Sequence, residues 1–293
     1  KKTILGLDYI YLINLDQRPE KWDKSLRQLA PYGITPHRFS AIYGWDLPTE
    51  TTNELGVCFQ ADMQSDFWAA CFPRKLKGAP EVDFLRKDLY GTSVFYYAIT
   101  PGAIGCYLSH LSVLQDAYDS GYETIWVMED DILVVKDPHL LSQYIQKLDN
   151  LLGSQGWDIL YTDMDFDAEY FLTAVKENPR LFWRPDMIST LDYQHFLERK
   201  VLSEDFLQIG GRFRTHSMII RRSGVKKILE HAKKYHIYLP YDHDIAVIPG
   251  IRCFNLRANV VTVEEISSDT HFATLIKRAT WEKYRKEVLE DRK

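Results

Sequence analysis

The chain has 293 residues, 45% hydrophobic and 26% charged, with a net charge of −5. That length buries a sizeable core, and that composition is ordinary for a soluble globular enzyme and excludes a disordered chain. With no long basic run, it argues against nucleic acid as the main partner.

Tyr9–Asn14 (YIYLIN) predicts a first strand, followed by a helix with Pro19 in its first turn, Trp22, Leu26 and Leu29 on one face, and Gly33 as its stop. A short strand from His37 to Ala41 and a turn at Gly44 complete a β-α-β start, the pattern of a nucleotide-binding half. Asn14, Asp16 and Arg18 then fall where a nucleotide would lie. Equally, Asp16 could cap the helix and Arg18 pair with a nearby acid. Leu47 to Thr100, punctuated by Pro73, Gly78, Pro80 and Gly91, reads as an exposed excursion without chemistry.

Thr100-Pro101 opens a helix that Ile104, Leu108, Leu111, Leu114 and Tyr118 mark at helical spacing, and Gly121 stops it. Gly102 and Gly105 permit close approach to another backbone or a ligand. Ser109 lies within this helix without a Gly-x-Ser-x-Gly elbow, so a hydrolase triad is rejected, and His110 reads as a core histidine.

Thr124 to Val135 (TIWVMEDDILVV) places three acids, Glu129, Asp130 and Asp131, between two apolar runs. An apolar run of this kind is a strand buried on both faces, and acids at its end lie at the carboxyl edge where open α/β sheets bind ligands. Adjacent carboxylates repel unless a cation sits between them, and hard divalent metals prefer oxygen. A solvated turn is the alternative, weakened by the apolar flanks.

A helix from Asp137-Pro138 to Leu152 and a strand from Trp157 to Tyr161 lead to TDMDFD (Thr162 to Asp167). Its Asp163 and Asp165 are candidates for a catalytic base at the same edge. Ala168 to Gly211 is aromatic and irregular and reads as the acceptor side; Phe182, Trp183 and Tyr193 could be sugar platforms or plain packing. A strand from Arg212 to Arg221, a helix from Ser223 to Tyr235, the polar cluster Asp242, His243 and Asp244, and a final β-like stretch follow. Ser268, Asp269 and His271 stand out before a charged tail helix, Trp281 to Lys293. Without repeats or a low-complexity linker, residues 1–293 read as one domain, with 1–165 mainly on the donor side and 166–293 mainly on the acceptor side.

The four cysteines, Cys58, Cys71, Cys106 and Cys253, form no C-x-x-C pair, which excludes a zinc ribbon. They read as mostly reduced thiols of a cytoplasmic protein, with Cys58–Cys71 the bridge to consider. No apolar run reaches membrane-span length and no signal-peptide pattern is visible. The chain starts at Lys1, so a trimmed leader, and with it the lumen of the secretory pathway, stays open.

Four segments in order, YLINLDQRPEKWD, FSAIYGWDL, PGAIGCYLSHLSVLQDA and IWVMEDDILV, resemble glycosyltransferase family 25. Echoes follow in WDILYTD, THSMIIRRSGVKKIL, LPYDHDI and SSDT. The resemblance implies a GT-A-like α/β/α nucleotide-binding sandwich with a mostly parallel central sheet. It implies inverting transfer of a hexose, galactose foremost, from a UDP-sugar with Mn²⁺ or another divalent metal.

The expected acceptor is a glycan such as lipopolysaccharide or lipooligosaccharide, with peripheral membrane association left open. A collagen-like hydroxylysine acceptor and a non-catalytic carbohydrate-binding module are the alternatives. Carried over by position, Glu129, Asp130 and Asp131 match the family's acidic motif, and Asn14, Leu15 and Arg18 its nucleotide-side motif. Ser109 and His110 match its Ser-His pair, and Asp242 its Pro-x-Asp aspartate. Ala41 and Tyr43 lie in the second segment, where Tyr43-Gly44 replaces the usual Asp-Gly, so Tyr43 or Asp46 must serve the donor there.

Charge then assigns roles. A metal at Asp131, with Asp130 or Glu129, stabilises the leaving diphosphate, and His271 or His243 could complete its shell. Asp242 is the first choice of base, ahead of Asp163, Asp165 and Asp244. A metal-dependent hydrolase or nucleotidyltransferase is the rival enzyme class.

Overall fold

The computed structural model describes residues 4–61, 63, 91–96, 99–178, 180–187 and 191–263, with strand segments 69–71, 75–76, 79–80 and 83–85. An eight-stranded sheet runs in the order Arg199–Val201, Phe206–Ile209, Cys253–Leu256, Ile159–Tyr161, Ser217–Arg221, Thr124–Glu129, Tyr9–Asn14, His37–Ser40. Three of the seven neighbouring pairs are parallel and four antiparallel.

Six strands share one direction, and Ser217–Arg221 and Phe206–Ile209 run against it. The expectation of a mostly parallel sheet therefore holds for strand direction and not for pairing. Ser217–Arg221 is inserted antiparallel between two co-directional strands, a placement that its apolar pattern does not encode.

Alternation along the central strand explains why both faces are covered. Ile125 and Val127 face one apolar cluster with Tyr107, Leu114, Val225 and Ile228. Trp126 and Met128 face the other, with Leu29, Leu141, Ile145 and Leu148. The helices Pro101–Asp119 and Arg222–Tyr235 thus cover one side, and Pro19–Leu29 and Leu140–Leu152 the other. Each large apolar side chain removed from water contributes roughly 1.5–3 kcal/mol. This is the α/β/α layering expected of a GT-A-like fold.

Local chemistry sets the element that crosses behind the site. Thr100 caps the helix Pro101–Asp119, its hydroxyl accepting from Ala103 N at 3.0 Å, and Pro101 supplies the first turn. Glycine then permits close packing: a Cβ on Gly105 would lie 2.5 Å from Gly44 N and from Ile42 O. No L-side chain fits there, so this helix lies directly on the loop after the second strand.

Several boundaries differ from expectation. The acidic stretch is not one long strand: it turns after Glu129, and Ile132–Val134 pairs antiparallel with Val261–Val263. The region 168–211, read as irregular, contains the helix Ala168–Glu177 and the two outermost strands on one side of the main sheet, Arg199–Val201 and Phe206–Ile209. Strands of three and four residues are too short for periodicity to report, and Phe206–Ile209 joins the sheet through the distant Cys253–Leu256. Asp16 does not cap the first helix, whose N-cap is Arg18; it accepts from Ser40 Oγ at 2.7 Å and pairs with Arg38 at 3.0 Å. Cys58, Cys106 and Cys253 are free thiols. The side chain of Cys71, His271 with its Ser-Ser-Asp-Thr segment, and the tail helix lie outside the described residues.

Candidate active site

Topology gathers the acids. The strands ending at Asn14, Ser40, Glu129 and Tyr161 point to one edge, and the antiparallel Ser217–Arg221 starts there. Residues just past the first four, and those just before Ser217, therefore meet.

The Asp130–Asp131 turn is held from below by the first helix. Ser25 Oγ donates to Asp130 O (2.9 Å), and Gln28 Nε2 donates to Ile132 O (2.7 Å) while its Oε1 accepts from Val134 N (2.9 Å). Asn14, 1% exposed, links this turn to its neighbours. Its Nδ2 donates to Asp130 Oδ2 (2.7 Å) and to Arg18 O (2.9 Å), and its Oδ1 accepts from Arg38 Nε (2.9 Å) and Nη2 (2.7 Å). Lys21 Nζ lies 3.8 Å from Asp130 Oδ1.

Glu129 is tied from two elements: its Oε1 meets His110 Nε2 at 3.0 Å and accepts from Thr215 Oγ1 at 2.9 Å. Burial pushes its carboxyl up, but the hydrogen bond and charge of His110, with Thr215 and His216, outweigh that and hold it below the usual range. His110 is a core histidine, as expected, but its partner is this carboxylate; its ring stacks on Tyr241 at 4.5 Å. Ser109 is a brace: it donates to Gly105 O (2.7 Å) and accepts from Ile42 N (2.8 Å). It thereby pins the loop that carries Ala41, whose N donates to Asn14 O (3.0 Å), and the exposed Tyr43. Leu15 O accepts from Arg18 N (2.9 Å), and Arg18 pairs with Glu20 at 2.7 Å.

Asp131 is the least compensated acid of the three. Its Oδ1 is buried without a hydrogen-bond partner. Burial first, then the charges of Glu129 and Asp130, push its carboxyl up to about 6 against the pull of His216 and Lys21. An orphaned carboxylate oxygen amid further carboxylates is a donor set that suits a hard divalent cation. Cys106 marks the centre of this field: burial and the charges of Glu129, Asp242, Asp131 and Asp130 push its thiol well above the usual range. The Cys106 thiol, His110 and Glu129 also lie within 4.8 Å of one another.

Asp242 sits on the short helix Tyr241–Val247. Its Oδ2 accepts from Arg214 N and its Oδ1 from His243 N, both at 2.9 Å. Arg214 has φ +72°, a left-handed conformation that costs a residue with a β-carbon about 1–2 kcal/mol. It holds that bend with Nε on Asp167 Oδ2 (2.5 Å) and its guanidinium over the Phe166 ring.

The second acid cluster is brought to the same edge but is already engaged. Asp163 is 0% exposed. It takes Arg212 Nη1 on Oδ1 (2.7 Å), and His216 Nε2 (3.0 Å) and Thr262 Oγ1 (2.9 Å) on Oδ2. Burial raises its carboxyl, but Arg212 and His216 overwhelm that and hold it far below the usual range. Such a group does not accept a proton near neutral pH, so the geometry gives Asp163 a structural part. Asp165 is buried between Arg199 (3.5 Å) and Arg212 (3.9 Å), and burial raises its carboxyl despite them.

Asp244 is locked by Arg184 Nη1 (2.6 Å) and Tyr107 OH (2.6 Å). His243 packs among the rings of Phe182, Phe213 and Tyr96, and burial lowers its pKa. Phe182 stacks on Phe196 at 4.4 Å, and Tyr193 OH donates to Val175 O (3.1 Å), so these two are packing rather than open platforms; Trp183 lies edge-on to Tyr238 at 6.3 Å. Sequence reasoning missed Arg38, Arg212, Thr215 and His216. The Thr-His pair before an apolar strand was visible, but only antiparallel insertion brings it opposite Glu129.

The chain belongs to glycosyltransferase family 25, whose model, described as glycosyltransferase family 25 (LPS biosynthesis protein), matches residues 8–245. Among curated relatives, a glycosyltransferase 25 family member of Aedes aegypti is 28% identical over 160 residues, 55% of this chain and 22% of that protein. Procollagen galactosyltransferase 2 of Homo sapiens is 29% identical over 159 residues, 54% of this chain and 21% of that one. The inactive glycosyltransferase 25 family member 3 of Homo sapiens is 22% identical over 162 residues, 54% and 22% of the two chains. The matched stretch thus spans about a fifth of these relatives' length. A solved structure, A197 from STIV, aligns at 12% identity with a TM-score of 0.32 over 56% of this chain and 69% of that one, too slight a likeness to carry an argument.

Proposed function

We propose that this chain is a metal-dependent inverting glycosyltransferase that moves a hexose, galactose foremost, from a UDP-sugar to a glycan acceptor. The observation that carries the reading is the orphaned, buried Oδ1 of Asp131, whose carboxyl the charges of Glu129 and Asp130 push up. A lapsed site has no reason to keep mutually repelling acids at a sheet edge.

When bound at Asp131, with Asp130 or Glu129, the divalent cation (Mn²⁺ foremost) supplies charge stabilisation to the leaving diphosphate. Asn14, fixed by Arg38, orients Asp130, and Ser109 holds the Ala41 to Tyr43 loop against the donor. Leu15 and Arg18 line the same edge, and His110 orients Glu129. Asp242 takes the proton of the acceptor hydroxyl as its oxygen bonds to the anomeric carbon and the sugar–phosphate bond breaks on the opposite face. Its two hydrogen bonds, both from backbone N–H groups, fix its direction.

The family description favours a lipopolysaccharide-type acceptor, and the cytoplasmic face of a membrane is the location that goes with that proposal. The procollagen galactosyltransferase among the relatives supports the hydroxylysine alternative, and with it a lumenal location. The inactive relative supports a transferase-like module without turnover. Nucleotide sugars screened for Mn²⁺-dependent transfer to each acceptor class decide among these. Turnover abolished by chelator and by Asp131→Asn is the expected result. Undiminished transfer by folded Asp131→Asn in chelator would sink the metal-dependent reading.

A further inference from the structure

We infer that Tyr170 is the aromatic platform for a sugar ring of the acceptor; this rests on the sugar transfer proposed above. Among the described residues only two aromatic side chains are exposed, Tyr43 at 37% and Tyr170 at 63%. Both belong to the carboxyl edge of the main sheet. Tyr43 follows the strand His37–Ser40, two places from Thr124–Glu129 on one side. Tyr170 follows Ile159–Tyr161, two places away on the other. At about 4.8 Å between neighbouring strands, each of these strand ends lies about 10 Å from the end that carries the acids. With the donor on the Tyr43 side, the ring across the acids is left to the acceptor.

Local structure holds the ring at this edge. Tyr170 is in the first turn of the helix Ala168–Glu177, which starts directly after the TDMDFD loop. Its ring leans on Phe213, with centroids 5.6 Å apart and planes at 48°. Phe213 in turn lies 5.1 Å from the ring of His243, the residue after Asp242. It also precedes Arg214, whose N donates to Asp242 Oδ2. Two ring-to-ring steps therefore separate the exposed tyrosine from the helix that carries the proposed base.

An exposed ring with support behind it suits a pyranose. A hexose presents an apolar face of C–H groups, and its hydroxyls radiate from the rim. Stacking flat on an aromatic ring removes that face from water and leaves the hydroxyls hydrated. A tyrosine loses little freedom in doing so, because it has only two side-chain torsions. The expected platforms Phe182 and Tyr193 are engaged in packing, whereas most of the Tyr170 side chain contributes nothing to the core. Tyr170 also lies outside the segments that carry the family resemblance, as suits a residue that selects an acceptor.

The test is transfer kinetics of the full chain with Mn²⁺, UDP-galactose or UDP-glucose as donor, and two acceptor probes. The probes are a lipooligosaccharide core oligosaccharide and a hydroxylysine-containing peptide. Tyr170→Ala is expected to melt as wild type does, since a side chain this exposed carries little of the core. Its KM for the oligosaccharide is expected to rise about tenfold or more, while its donor KM stays within about twofold of wild type. Tyr170→Trp is expected to keep the wild-type oligosaccharide KM and Tyr170→Leu to lose it, because the platform is a flat ring face. An unmoved oligosaccharide KM in Tyr170→Ala, or full function in Tyr170→Leu, overturns the inference and leaves the transferase reading standing. So does transfer to the peptide alone. Transfer to neither probe from either donor overturns both.

Discussion

Replacing Asp131 with asparagine separates the cost of the site from its use. Burial and two neighbouring acids move the Asp131 carboxyl from 3.8 to about 6. At about 1.4 kcal/mol per pH unit, ionising it costs the metal-free fold about 3 kcal/mol. The folded state binds this proton more tightly than the unfolded one, so the contribution of Asp131 to stability is most favourable below about pH 4 and falls as pH rises to about 6. Above that the penalty is complete. Asparagine carries no such charge. In chelator at pH 7.5, Asp131→Asn should therefore exceed wild type by up to about 3 kcal/mol, or about 4–6 °C in Tm for a chain of this size.

At pH 5 that advantage should shrink by about half, because the folded wild-type carboxyl is then mostly protonated. With UDP and Mn²⁺ at a thousandfold excess over Kd, wild type gains about 4 kcal/mol while the variant gains little, and the order reverses. Scanning calorimetry of both proteins, with and without metal, at both pH values reads all of this. A variant less stable than wild type in chelator at pH 7.5, or equal metal stabilisation of the two, refutes the reasoning.

Asp163→Asn should destabilise the protein by about 3–5 kcal/mol, since it leaves the buried Arg212 guanidinium without its counter-charge; denaturant melts check it. Asp242→Asn should by contrast cost only about 1–3 kcal/mol, because the amide oxygen replaces one of the two acceptors and its NH2 leaves the other backbone N–H unpaired. Its kcat should fall by about 10²-fold or more while UDP binding is unchanged, as measured by transfer kinetics and calorimetric titration. Gly105→Ala drives a methyl into Gly44 N and Ile42 O, so a loss of at least about 1–3 kcal/mol and a raised donor KM are expected. Phe182→Ala should cost about 3–5 kcal/mol of stability and leave acceptor KM unmoved, since the ring is stacked inside the core.

Much of this layout could be read from residue order alone. The strand Thr124–Glu129, the acids at its end, and the helices at Pro19, Pro101 and Leu140 follow from local periodicity and capping residues. Each depends on neighbours within a few positions. Asn14 and Asp130, 116 residues apart, were both legible as edge residues, and they meet through a 2.7 Å hydrogen bond. The strands Arg199–Val201 and Phe206–Ile209 were not legible, because runs this short carry too little alternation to read, and the partner that joins their hairpin to the sheet, Cys253–Leu256, lies far along the chain.

The division at the site has the same physical root. A run of acids between apolar stretches announces that charge is held near a buried edge, since water alone would not favour that arrangement. Which acids remain available depends on desolvation and on cations that arrive from other elements. Asp163 and Asp242 look alike as residue types, yet Arg212, His216 and Thr262 enclose one, while two backbone N–H groups merely aim the other. Sequence determined that carboxylates gather at the sheet edge; the tertiary structure decided which of them keep their charge in reserve, because the field at a buried carboxylate is set by neighbours through space and not along the chain.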